Sequence, residues 1–148
     1  MVGICSVYVD KEFEQNQWDY TLLSFTIDKL WILSQDNIEL PNTKTYGKGT
    51  IIKTLEELPE DHKVIIMQPK LGRYIQGEEP LHTFEHPNKN VIYVFGSDYD
   101  NFKESYIGNR KVDYKVYVPV DRDDEMYSFQ SCVVTLYDRK LKLNELNG

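Results

Sequence analysis

Cysteine is scarce in this chain of 148 residues, and long runs of apolar residues are absent. The two cysteines, Cys5 and Cys132, are too few for a disulfide framework, and their spacing matches no metal-binding motif. We therefore expect a reducing, cytoplasmic environment. No apolar run approaches the ~20 residues that cross a bilayer, and the first residues lack the pattern of a signal peptide, so we expect no membrane association.

Basic residues are also few. The chain has 17 Lys and Arg against 24 Asp and Glu, which gives a net charge of −7. This balance argues against indiscriminate nucleic-acid binding, which needs clustered positive charge. Two groups of basic residues are either solvated surface charges or local contacts for a nucleic acid: Lys103, Arg110, Lys111 and Lys115, and Arg139, Lys140 and Lys142.

The remaining composition is that of a folded protein. Hydrophobic residues make up 41% of the chain and charged residues 28%, values that exclude a disordered chain. The length suits one domain, so we expect a single domain over residues 1–148.

Short β-branched or aromatic runs alternate with helix-like segments. Trp18, Leu22 and Phe25 follow one another at spacings of four and three, which indicates one face of a helix. The apolar run at 63–67 is typical of a strand covered on both faces. Predicted strands are 6–10, 29–33, 63–67, 90–95 and 114–118, and predicted helical segments are 12–25, 49–58, 79–84 and 126–142. This alternation predicts an α/β fold with a mostly parallel sheet flanked by helices.

Parallel sheets bind ligands at the carboxyl ends of their strands. Three predicted strands end in turns with suggestive residues: Met67-Gln68, Phe95-Gly96 and Val118-Pro119-Val120. A glycine allows the backbone to approach a ligand closely. Glycine and proline are common at strand ends in any α/β protein, however, so these turns alone do not identify a site.

Several motifs occur in a familiar order along the chain: Phe25-Thr-Ile-Asp28, Pro80-Leu81, Phe84-Glu-His-Pro87, Val91-Ile-Tyr-Val-Phe-Gly-Ser-Asp98, Val116-Tyr-Val-Pro119 and Leu136-Tyr-Asp-Arg139. Together they resemble the SpoU/TrmH branch of the SPOUT (α/β-knot) RNA methyltransferases. In that branch one strand ends in phenylalanine-glycine-x-glutamate, the next ends in proline, and a helix follows that often finishes in leucine-tyrosine-acid.

The resemblance implies a C-terminal trefoil knot, in which residues 136–142 lie inside or beyond a loop near residues 95–115. It also implies S-adenosylmethionine as cofactor, a tRNA or rRNA substrate methylated at a ribose 2′-hydroxyl, and a homodimer, here formed through Trp18, Tyr137 and Leu141. Carried over motif by motif, the cofactor-binding residues are Met67, Gln68, Phe95, Gly96, Ser97, Asp98, Val118, Pro119, Val120, Met126, Tyr127 and Phe129.

The family's catalytic motif is not intact in this chain. The position of its arginine falls on Tyr20 and that of its asparagine on Glu14, and residues 1–72 contain no arginine. A phenol is neutral near pH 7 and cannot supply the permanent charge of a guanidinium. The resemblance places Glu14, Ser128 and Gln130 nearest to the family's catalytic motifs, so these are the candidate catalytic residues, and of these only Glu14 could act as a base.

Three functional hypotheses follow. The chain is an active SPOUT RNA methyltransferase, a SPOUT fold that binds RNA or a protein without methyl transfer, or an unrelated flavodoxin-like or Rossmann-like nucleotide binder. His82 and His86 have helical i, i+4 spacing but no third ligand nearby in sequence, so no metal site is expected. Arg73, Lys103, Arg110, Lys111 and Arg139 are the candidate RNA phosphate contacts.

Overall fold

Seven parallel strands form one sheet in the computed structural model, which describes residues 1–96, 102–122 and 126–146. The strands are β1 Val2–Val7, β2 Leu30–Leu33, β3 Thr50–Ile52, β4 Lys63–Met67, β5 Glu79–Pro80, β6 Val91–Phe95 and β7 Tyr114–Tyr117. Their order across the sheet is β3-β2-β1-β6-β4-β7-β5. The described residues also form two α-helices, α1 Glu12–Ser24 and α2 Ser128–Lys142. The predicted α/β class with a parallel sheet is confirmed.

The central strands are buried on both faces, as the continuous apolar run of β4 predicted. On one face, Ile65 and Tyr93 belong to a core that includes residues of α1 and α2. On the other face, Ile66 and Val94 pack with residues from short 3-10 turns at 55–57 and 104–106. Neither helix in the described part of the chain is both long and apolar enough to cross a membrane.

The segment 49–58 differs from its prediction. Instead of one helix it forms β3 and then a 3-10 turn, Leu55–Glu57. Ile51 lies opposite Ile32 of β2 and is 41% exposed, so its side chain does not face the core. The β-branched run Thr50–Ile52 fits an edge strand, and three residues are too few for a helical period to be distinguished from a strand.

Two other boundaries were also wrong. The first strand occupies Val2–Val7 and not residues 6–10, because its pairing with β2 and β6 involves residues 2–7. Gly3 lies under the Trp31 ring of β2, which an added Cβ would meet at 2.6 Å. The predicted helical turn at 79–84 is a two-residue strand, β5, followed by a 3-10 turn, Leu81–Thr83. The predicted helices at 12–25 and 126–142 correspond to α1 and α2.

The position of β7 in the sheet is the feature that precedes the C-terminal helix. β7 is inserted between two strands that precede it in sequence, β4 and β5. After β7 the chain forms α2, which packs against α1, β6 and the 3-10 turn that follows β5. The knot prediction depends on this arrangement, and the threading itself stays a prediction.

Candidate functional site

The carboxyl ends of β6, β4 and β7 lie side by side, because these strands are neighbours in the sheet. In the strand register, Met67 lies opposite both Phe95 and Val116. The Gln68 N–H donates to the Val116 carbonyl at 3.0 Å and so extends the pairing beyond β4. The three turns predicted to bind a cofactor therefore begin at one edge of the sheet.

The side chains of Met67 and Phe95 point into the helix-covered core and are buried. The Phe95 ring packs edge-on against Trp18 of α1, with 5.8 Å between ring centroids. A ligand at this edge would therefore meet main-chain groups of these two residues. Ser97 and Asp98, which were predicted to continue the second turn, lie outside the described residues.

Gln68 fills the space above Gly96. A Cβ added to Gly96 would lie 2.7 Å from the Gln68 amide nitrogen and 3.4 Å from Phe102 Cβ. The φ angle of Gly96 is outside the left-handed region, so close packing is what requires this glycine. We expected the missing side chain to make room for a ligand, whereas the structure uses that room for Gln68.

Gln68 is a buried amide whose nitrogen has a hydrogen-bond partner and whose oxygen has none among the described residues. Its Nε2 donates to the Met67 carbonyl at 3.1 Å. Its Oε1 is buried and has no hydrogen-bond partner among the described residues. Because buried polar atoms in proteins almost always have partners, this oxygen marks a place where a ligand could donate a hydrogen bond.

The third turn presents a mixture of packed and accessible residues. Val118 is half-buried and packs against the helix-covered core, whereas Pro119 and Val120 are exposed. Met126, just before α2, is half-buried. The backbone after β7 is therefore accessible at the same edge as Gln68.

Three aromatic rings join the first turn of α1 to the start of α2. Tyr127 and Phe129 stack at 5.1 Å, and each meets the Phe13 ring edge-on at 6.2 Å. The Tyr127 N–H donates to Gln130 Oε1 at 2.9 Å, a bond that caps the start of α2. These contacts hold the amino end of α2 beside α1.

The three candidate catalytic side chains are all engaged in the fold. Ser128 is buried, and its Oγ accepts a hydrogen bond from Trp18 Nε1 at 3.2 Å. Gln130 is exposed and caps α2. Glu14 is buried near Tyr46; burial raises the pKa of that phenol, and the charge of Glu14 adds to the rise. Their catalytic roles stay predictions.

The exposure of the helix side chains corrects the predicted dimer interface at one residue. Trp18 has no exposed surface, because it packs beneath α1 in the core, so it cannot form part of a dimer interface. Tyr20, at the position of the family arginine, is 64% exposed. An apolar stripe runs along the outer face of α2 and consists of Val133, Val134, Tyr137 and Leu141.

Two of the predicted phosphate contacts are used inside the fold. Arg139 is 5% exposed, and Arg110 donates to three backbone carbonyls of the turn before β4, at 2.8–3.0 Å. Both guanidinium groups are therefore engaged within the fold, which leaves them less available to a phosphate than an exposed side chain. Lys103, Lys111 and Arg73 have exposed side chains and remain candidates.

A buried polar network, which the sequence did not reveal, joins α2 to β6. His86 Nδ1 lies 2.7 Å from the Tyr93 hydroxyl, and His86 Nε2 lies 2.7 Å from Asp138 Oδ2. Arg139 donates to the Tyr93 hydroxyl at 3.1 Å, and Lys142 pairs with Asp138 at 2.9 Å. A neutral histidine with its proton on Nε2 satisfies every one of these contacts.

The pKa values agree with that assignment. Burial lowers the pKa of His86, and the charges of Lys142 and Arg139 lower it further against the opposing effect of Asp138. Burial raises the pKa of Tyr93 to about 12, so its hydroxyl keeps its proton and can donate to His86. The role of His86 is therefore to hold α2. His82 is exposed, and the described residues contain no group of three or more metal-ligating side chains.

A cavity of about 390 Å³ lies away from this edge, where β2 begins. Its walls are apolar, with lysines and an aspartate among the lining residues: Leu22, Leu23, Thr26, Ile27, Asp28, Leu30, Lys44, Thr45 and Lys48. This cavity is the alternative location for a small ligand.

The residues at the carboxyl edge fit an adenosyl group. Such a group needs a partly apolar surface, hydrogen-bond acceptors for its amine and hydroxyls, and accessible backbone. The edge offers the unpaired Gln68 oxygen, the apolar side chain of Val118 and the accessible backbone of Pro119 and Val120.

Comparison of the structure with solved structures gives consistent matches. The chain is similar to the SpoU methyltransferase AviRb from Streptomyces viridochromogenes, with a TM-score of 0.73 and 7% sequence identity over 98% of this chain. It is also similar to the A. aeolicus TrmH/SpoU tRNA modifying enzyme, with a TM-score of 0.70 and 11% identity over 97% of this chain. A third similar structure comes from a study of the 2-OH methylation of tRNA, with a TM-score of 0.65 and 14% identity over 97% of this chain. No family model matches the sequence, and no curated protein matches it.

The chain spans 61% of the AviRb chain, 76% of the A. aeolicus chain and 91% of the third. At these identities the likeness establishes the fold, and the fold agrees with the ordered motifs of the C-terminal half. The chain therefore has the SPOUT fold of the SpoU/TrmH RNA methyltransferases.

Proposed function

We propose that the chain is an S-adenosylmethionine-dependent RNA methyltransferase that acts on a ribose 2′-hydroxyl of tRNA or rRNA. The observation that carries this proposal is the unpaired Gln68 oxygen at the carboxyl edge of β6, β4 and β7 in a SpoU/TrmH-type fold. The printed names of the similar structures, which include a tRNA modifying enzyme and tRNA 2-OH methylation, support the substrate class.

When bound, S-adenosylmethionine supplies a methyl group on a positively charged sulfur. Transfer of that methyl group to a ribose oxygen would release the hydroxyl proton, and a residue of this chain would have to accept it. Glu14 is the base in this proposal, because Ser128 and Gln130 are not basic and the phenol of Tyr20 is neutral near pH 7. A neutral hydroxyl is a poor nucleophile, so the rate depends on that proton acceptor.

Methyl transfer is tested with tritiated S-adenosylmethionine and total tRNA and rRNA. Glu14→Gln should lower incorporation by about 100-fold, the lower end of what a general base contributes. Glu12→Gln is the matched control, since Glu12 belongs to the same helical turn but is exposed, and its rate should be unchanged. Equal rates for the two variants would exclude Glu14 as the base.

A second candidate function is binding without transfer. The position of the family arginine holds the exposed Tyr20, and Ser128 and Gln130 already have structural hydrogen bonds. A chain that binds S-adenosylmethionine but incorporates no methyl group into any RNA would favour this second function.

RNA would have to bind through a local strip of basic residues, because the net charge of the whole chain is −7. Lys103, Lys111 and Arg73 are the exposed basic residues that we assign to phosphate contacts. Each Lys→Ala change should weaken binding and reduce the slope of log affinity against log salt by about one unit. Lys89, also exposed, serves as a control outside this strip.

We also propose a homodimer formed through the apolar stripe of α2. A stable interface buries about 800 Å² per partner, and four exposed apolar side chains supply its centre. Tyr137→Glu places a charge in that centre and should give a monomer by light scattering. A wild-type chain that is monomeric at high micromolar concentration would contradict the dimer.

A further inference from the structure

Gln68 is buried and closely packed at the carboxyl end of β4. It is 4% exposed and lies between two glycines. A Cβ on Gly77 would meet the Gln68 backbone oxygen at 2.6 Å, and one on Gly96 would meet its side-chain nitrogen at 2.7 Å. The Gln68 backbone is therefore packed against Gly77, and its side-chain amide against Gly96.

The orientation of this amide is also determined. Nε2 donates to the Met67 carbonyl at 3.1 Å. Rotating the amide by 180° would bring Gln68 Oε1 against that carbonyl and set two acceptors against each other. The contact with Met67 thus leaves Oε1 as a fixed acceptor, with no partner among the described residues.

The surroundings select the kind of donor that fits. Phe102 lies beside Gly96 and belongs to the apolar core on the face of the sheet away from α1 and α2. A charged ammonium group would lose its hydration in such a place without gaining a carboxylate partner, which is costly. A flat, neutral N–H donor loses much less hydration free energy when it is buried.

We propose that Gln68 Oε1 accepts a hydrogen bond from the exocyclic amine of adenine and so selects adenosyl ligands over purines that carry an oxygen at that position. This inference rests on the proposed function, because it takes the adenosyl site to be at this edge. Replacing the amine by a carbonyl would remove the donor and oppose two oxygens, and sites built for a donor reject such analogues strongly.

Calorimetry on the full chain tests the inference with two ligands, S-adenosylhomocysteine and S-inosylhomocysteine. We expect the wild type to bind the adenosyl compound at least tenfold more tightly. Gln68→Leu should lose that preference and bind both ligands with similar affinity. Gln76→Leu is the matched control: Gln76 also donates to a backbone carbonyl in the same loop but is exposed, and the preference should persist.

The possible results of this experiment distinguish the role of Gln68 from the existence of the cofactor site. A wild type that binds both ligands equally, or a Gln68→Leu variant that keeps the preference, overturns the role of Gln68 and leaves the cofactor site standing. A wild type that binds neither ligand overturns the proposed function and this inference together. The wild-type comparison decides the question even if circular dichroism shows that Gln68→Leu does not fold.

Discussion

Replacing His86 tests the network that fastens α2 to the sheet. His86→Leu removes the acceptor for the Tyr93 hydroxyl and one partner of Asp138. A buried group left without its partner costs about 1–3 kcal/mol. Tyr93 is fully buried, whereas Asp138 keeps Lys142 and is partly exposed, so we expect a loss of about 2–4 kcal/mol. In a chain of this size, that loss lowers Tm by roughly 6–12 °C.

The effect should depend on pH. The pKa of His86 is lowered in the folded state, chiefly by burial, from its ordinary value of 6.5. Between the two values the unfolded chain binds more protons than the folded chain, so stability rises with pH. The contribution of His86 is therefore complete above pH 6.5 and is lost as pH falls toward the folded-state pKa.

Urea denaturation followed by circular dichroism at pH 7.5 and 5.5 measures both effects. His82→Leu is the control, since His82 lies in the same short segment but is exposed, and should change stability by less than about 0.5 kcal/mol. The difference between wild type and His86→Leu should shrink at pH 5.5. Equal costs for the two leucine variants at pH 7.5 would refute the reasoning.

Two further predictions concern α1. Thr26 has φ +55° just after the end of α1, a conformation that favours glycine. Thr26→Gly should therefore stabilise the chain by about 0.5–1 kcal/mol in thermal melts, and Thr26→Ala should not. Asp19 accepts hydrogen bonds from Thr45 and Tyr46 at 2.6–2.9 Å; although desolvation alone would raise its pKa, these bonds lower it. Asp19→Ala should therefore cost about 2 kcal/mol near neutral pH and less as pH falls through the lowered pKa; a cost that does not change with pH would contradict this.

The sequence predicted the sheet edge because its signals are local there. The apolar runs of β4 and β6 and the turns after Met67 and Phe95 mark strands and their ends without information about partners. The failure at 49–58 has a physical cause as well: a three-residue edge strand followed by one 3-10 turn contains too few residues to show either period.

The contacts made by individual side chains could not be predicted in the same way. His86, Tyr93 and Asp138 are far apart in sequence and meet only when α2 packs against β6. Arg110 and Arg139 looked like surface charges because sequence alone cannot show the carbonyls they bind. Gly96 was predicted to let the backbone approach a ligand, and the sequence could not show that the Gln68 amide packs against it.

The most direct test of the account is a titration of the isotope-labelled chain with S-adenosylhomocysteine, followed by backbone amide chemical shifts. The account predicts saturable shifts concentrated at 67–68, 95–96 and 117–120, where β4, β6 and β7 end. Absence of saturable shifts, or shifts centred on the separate cavity around Leu22, Ile27 and Lys44, would contradict it.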